Sequence, residues 1–109
     1  MNKEVIEAGK NHAIISYFTI IGTIIALVQN NDLKNPFAAF HIRQALGVSL
    51  SFFALGYIVG YFDSWMVSSA FYVFFIVLWA FGFINALQGE YRPIPLVGEL
   101  FQKVFKNIN

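Results

Sequence analysis

Asn35-Pro36-Phe37-Ala38-Ala39-Phe40-His41-Ile42-Arg43-Gln44-Ala45-Leu46 is the stretch on which the fold turns. Asn35 is a good helix N-cap, and Pro36 stands where a helix tolerates proline best. The polar groups His41, Arg43 and Gln44 then lead into 19 residues without charge, between Arg43 and Asp63. Ionisable groups at the mouth of such a run cost free energy unless they sit at lipid headgroups or face other helices. The stretch therefore reads as the start of a membrane-crossing helix.

The rest of the chain agrees with that setting. Of its 109 residues 58% are hydrophobic and 12% charged, about half the charged share of an ordinary soluble domain. Mean hydropathy is +0.63. The net charge of +1 offers no basic patch for nucleic acid. No cysteine is present, which excludes disulfides, thiolate metal sites and a cysteine nucleophile. Lys3, Glu4, Glu7 and Lys10 precede the first apolar run and no small-residue cleavage site follows it, so a cleaved signal peptide is not expected.

Uncharged runs flank the opening stretch on both sides. Between Lys10 and Asp32 lie 21 residues, and between Asp63 and Glu90 lie 26. At about 1.5 Å per residue each run can cross a hydrocarbon core of about 30 Å. The expected fold is an all-α integral membrane protein, one domain over residues 1–109 with spans at 11–30, 36–62 and 66–88. Tyr57, Tyr61 and Trp65 flank the short link between the last two spans and suit an interfacial aromatic belt.

After Gly89, Pro93 and Pro95 end the helical pattern. Val97, Leu100, Phe101, Val104, Phe105 and Ile108 then recur at three and four residues. This predicts an amphipathic helix over 96–108, lying flat on the membrane, with packing against the protein's own loops as the alternative. Three crossings would put Lys3 and Lys10 on one side and Lys34, Arg43, Arg92, Lys103 and Lys106 on the other. Five against two favours an outside N-terminus and a cytoplasmic C-terminus.

Polar residues inside the spans fall into faces. His12, Ser16, Thr19, Thr23, Ala26 and Asn30 share one narrow stripe at about 100° per residue. Such a stripe serves as a helix-packing seam or, alternatively, as a polar path for an ion or solute. His41, Ala45, Ser49, Gly56 and Gly60 share an arc of the second helix, where Gly56 and Gly60 have the spacing that lets backbones touch. Arg43 points nearly opposite, toward lipid phosphate. Gly82, Ala86 and Gly89 repeat the small pattern in the third helix, and antiparallel pairing brings Asn85, Gln88 and Glu90 to the level of His41 and Gln44. A contact of His41 with Glu90 or Asn85 is expected there.

Nothing in the chain has the spacing of a catalytic or metal site. His12 and His41 lie on different helices, no two carboxylates fall within one span, and no phosphate-binding glycine loop occurs. The expected protein is not an enzyme, needs no cofactor or metal, and has the lipid bilayer, copies of itself or other membrane proteins as partners. A small channel or transporter, with the first-helix stripe and His41 lining a path, is the alternative.

Three pieces in order, His12, the run Pro36–Leu46 and Gln88-Gly89-Glu90-Tyr91-Arg92-Pro93, resemble a family of small bacterial membrane proteins related to the chloroplast inner-envelope protein-import component, Tic. The resemblance covers residues 10–98. It implies three or four helical spans, a bacterial inner-membrane location, an accessory role in protein translocation and no catalytic residues.

Overall fold

The computed structural model describes residues 1–108, and all regular structure among them is helical. Five helices follow in order: α1 (Lys3–Ile15), α2 (Ile20–Leu33), α3 (Pro36–Val59), α4 (Trp65–Leu87) and α5 (Gly98–Val104). Only α3 and α4 are long and apolar enough to cross a membrane. Each begins on a side-chain cap: Asn35 Oδ1 accepts from Ala38 N at 3.0 Å, and Ser64 Oγ from Val67 N at 3.3 Å. They form an antiparallel hairpin around the turn at residues 60–64, with Phe52 stacked on Phe71 across it.

The span expected over residues 11–30 is two helices, broken at Ser16–Thr19. The hydroxyl stripe supplies the physical reason. Thr19 adopts an extended conformation and caps α2, accepting from Gly22 N at 3.3 Å. Thr23 Oγ1 donates to the Ser16 carbonyl at 2.6 Å, Ser16 Oγ to the Ala13 carbonyl at 2.6 Å, and Trp79 Nε1 to the Tyr17 carbonyl at 2.6 Å. The backbone groups freed by the break are thus satisfied by protein, the condition for interrupting a helix away from water. Gly22 lies so close to the Ile15 carbonyl that a Cβ would overlap it, and the two short helices fold back on each other.

At about 1.5 Å per residue α1 and α2 are each about 20 Å long, short of a crossing. They descend and return beside the first half of α3. Gly9 lies against Asn35 and Ala38, whereas Tyr17 reaches His41 and Gln44; Ala26 then packs on Ala38 and Ile42, and Asn30 bonds Asn35. Both ends of this hairpin therefore lie at the Pro36 end of α3. The Met1 ammonium donates to Tyr91 Oη at 3.4 Å, so the N-terminus shares an end with the segment after α4. Where three crossings would separate the termini, the break folds α2 back along α1 and the structure places both termini at one end of the molecule.

The tail also departs from expectation. Helix α5 covers seven residues and is not a free surface element; Phe101 is buried on Gly47, within a cluster of Val48, Phe75, Leu78 and Ile94. The amphipathic pattern was met by protein because Gly47 leaves room for the ring.

Candidate functional site

The most polar buried place in the molecule lies where α1, α3 and the segment after α4 meet. Tyr17, His41 and Gln44 are 3%, 0% and 0% exposed. Helix α3 supplies His41 and Gln44 one turn apart on the same face. The break after α1 brings in Tyr17, whose phenol end lies against Gly82 of α4, where a Cβ would stand 2.7–2.9 Å from Cε1, Oη and Cζ.

Four hydrogen bonds run in one direction through these residues. Ile94 N donates to Gln44 Oε1 at 2.8 Å, and Gln44 Nε2 donates to Tyr17 Oη at 3.0 Å. Tyr17 Oη lies 2.7 Å from His41 Nδ1, and His41 Nε2 lies 2.7 Å from the Glu90 carbonyl oxygen. A carbonyl only accepts, so Nε2 carries the proton; Nδ1 of the neutral ring then accepts from the phenol. The chain of bonds starts and ends on residues 90–94, which it clamps to α3. The rings of Phe37 and Phe40 close over His41 edge-on, with centroids at 4.9 and 5.2 Å.

Glu90 thus meets His41 through its backbone. Its carboxylate faces Arg92 Nε at 3.6 Å on the surface, a pairing of little energetic weight. Asn85 turns to its own helix, donating to the Phe81 carbonyl at 2.7 Å, and does not reach His41. Ser16, Thr19 and Thr23 serve the break, and His12 Nδ1 is buried with no hydrogen-bond partner among the described residues. Gly56 faces Phe71 of α4, where an added Cβ would stand 3.5 Å from the ring, while Gly60 ends α3 and is exposed. Arg43, expected at lipid phosphate, donates from Nε to the Ile108 carbonyl at 3.0 Å and from Nη2 to the Lys106 carbonyl at 3.4 Å. The returning tail brings those acceptors to it.

Three contributors were not singled out from sequence as site residues. Tyr17 stands one position off the hydroxyl stripe, and a phenol in an aliphatic run was its one signal. Trp79 holds the break from α4. Asn35, besides capping α3, donates from Nδ2 to the Val5 carbonyl at 2.9 Å and fastens α1.

At the tip of the α1–α2 hairpin lies an apolar cavity of about 400 Å³, lined by Phe18, Val48, Phe52, Phe75 and Trp79 among others. Among the described residues no three His, Cys, Asp or Glu side chains gather in a way that could hold a metal ion.

Residues 8–101 match the family model described as the magnetosome magnetite crystal formation protein family, MamF/MmsF. The UPF0132 membrane protein MJ1527 of Methanocaldococcus jannaschii is 29% identical over 91 residues, which are 82% of this chain. The chain spans 63% of that relative's length. No solved structure matches. These matches overturn the resemblance to the chloroplast import component, since neither relates the chain to plastid import, and the translocation role falls with it. In the structure two of the three pieces that carried the resemblance supply the clamp, through His41, Gln44 and the Glu90 carbonyl.

Proposed function

The chain belongs to the magnetosome magnetite crystal formation protein family, and on that premise we propose that it is a non-enzymatic membrane protein acting through association with further copies of itself in the bilayer. The observation that carries this reading is the contrast between the two halves of the α3–α4 hairpin. In the half near Pro36 the buried polar groups bond to one another, apart from His12 Nδ1. In the far half the two helices pack on each other, with Phe53 and Tyr72 at the edge of the pocket under the α1–α2 tip. Phe53, Tyr57, Ile58, Met66 and Tyr72 are exposed there, with the small residues Ala54 and Ala70 between them. Small residues among bulky ones let helices approach closely, and packing of this kind drives association in lipid.

The family description concerns magnetite crystal formation; a role of this chain in that process would be exercised through membrane association. The polar-path alternative loses support, because the hydroxyls of Ser16 and Thr23 are engaged by backbone carbonyls beside them.

Single cysteines test the reading in a chain that has none of its own. Ala54→Cys and Ala70→Cys should give disulfide-linked dimers in native membranes, in excess of Ile24→Cys on the exposed face of α2. Equal or absent crosslinking at the three positions overturns it.

A further inference from the structure

We propose that the protein is a wedge within the membrane, favouring bilayers that curve convex toward the end bearing both termini. This rests on membrane insertion of α3 and α4, not on self-association.

The shape follows from where the short helices stop. The tip of the α1–α2 hairpin, Ser16–Ile20, lines a cavity with Ala45, Val48, Ser49, Phe52 and Phe53 of α3 and with Tyr72, Phe75, Ile76 and Trp79 of α4. Those positions are centred near the midpoints of the two long helices, since α3 runs from Pro36 to Val59 and α4 from Trp65 to Leu87. Helix α5 packs at the same level, with Phe101 on Gly47. The half near Pro36 is therefore flanked by three further helices, and beyond Phe53 and Tyr72 none of them flanks the hairpin.

The added helices lie in hydrocarbon, at least on the side of α2. Ile21, Ile24, Ile25 and Val28 are 45–66% exposed and form its outward face. An exposed aliphatic stripe of this kind suits lipid chains and not water. With helix diameters of about 10–12 Å, α1 and α2 alone add about 160–220 Å² of cross-section to one leaflet. The opposite leaflet receives no matching area. A bilayer holding such a body relaxes by bending so that the crowded leaflet lies on the convex side.

Charge gives the direction of that bend. Lys3 adjoins the N-terminus that bonds Tyr91, Lys10 follows the Gly9–Asn35 contact, and Lys34 precedes Asn35. Arg43, Lys106, Arg92 and Lys103 belong to the tail contacts of the same end. All seven cationic side chains thus lie at the broad end, and Asp63 is the one charged residue at the far turn. The broad end is the cytoplasmic one by the positive-inside rule, and the favoured membrane bulges into the cytoplasm.

The test uses the full chain in vesicles spanning a range of diameters, at less than one copy per vesicle so that association plays no part. Asn2→Cys and Asp63→Cys carry a dye at the broad and narrow ends, and an impermeant quencher reports orientation. Molecules with the broad end outward should be enriched in the smallest vesicles by roughly threefold over the largest, and inverted molecules depleted. An orientation ratio that does not vary with diameter, or varies in the opposite sense, overturns the wedge. Release of the protein by alkaline washing overturns membrane insertion itself, a separate failure that removes the wedge with it.

Discussion

The hydroxyl of Tyr17 lies 2.7 Å from Nδ1 of His41, a buried bond that joins the break after α1 to the third helix. The phenol also accepts from Gln44, so its removal orphans two buried groups at once. Tyr17→Phe should therefore destabilise by about 1–3 kcal/mol for each orphaned group. Gln44→Leu keeps the Tyr17–His41 bond but leaves Ile94 N unpaired, and should cost less. The double variant should cost less than the sum, because both changes act on one chain of bonds. Thermal unfolding in detergent micelles measures all three; an unchanged midpoint for Tyr17→Phe would show that the clamp carries no stability.

Thr23 offers a cleaner probe of the break. It is fully buried and donates to the Ser16 carbonyl at 2.6 Å and to the Thr19 carbonyl at 3.1 Å. Thr23→Val keeps shape and removes the donor, and should cost about 1–3 kcal/mol. Thr19→Ala removes the α2 cap and should cost about 1 kcal/mol. Hydrogen exchange should then quicken first at residues 16–22. Uniform exchange along α1 and α2 would argue that the break is not held by these hydroxyls.

The long helices were legible because a cap and a proline at Asn35 and Pro36 and the long uncharged runs on either side of Asp63 all point the same way. The first span was not, although its length was right. A hydroxyl at Ser16, Thr19 or Thr23 can face a neighbouring helix or turn to its own backbone, and both uses fit the same three- and four-residue spacing. Periodicity counted across Thr19 assumed the helix it was meant to establish. The tail has a similar ambiguity: the face of Val97, Phe101 and Phe105 reads alike whether it meets lipid or protein. Of the site, His41 and Gln44 were visible as polar groups at a span's mouth, whereas Tyr17 and Trp79 look like ordinary apolar residues until their single polar atoms are placed.

Two glycines separate packing from helix propensity. At Gly82 a Cβ meets the Tyr17 ring at 2.7–2.9 Å. Gly82→Ala should cost about 1–3 kcal/mol through overpacking and loosen the clamp. Gly60 has ordinary helical dihedrals and meets only carbonyls of its own last turn, at 3.4–3.5 Å. Gly60→Ala should be neutral or stabilise by up to about 1 kcal/mol. Denaturation midpoints of equal size for the two variants would contradict this assignment of roles.

Sidedness is the prediction on which the return of the first hairpin stands. Three crossings would separate Asn2 from Lys106, whereas the structure joins Met1 to Tyr91 and Lys106 to Arg43 at one end. An impermeant maleimide should therefore treat Asn2→Cys and Lys106→Cys alike, sparing both in intact cells and labelling both after lysis. Asp63→Cys, at the far turn, should label without lysis. Every cation lies at the end predicted to be protected, so the charge rule and the geometry make the same demand. Labelling of Asn2→Cys in intact cells, with Lys106→Cys protected, would restore the third crossing and remove the hairpin.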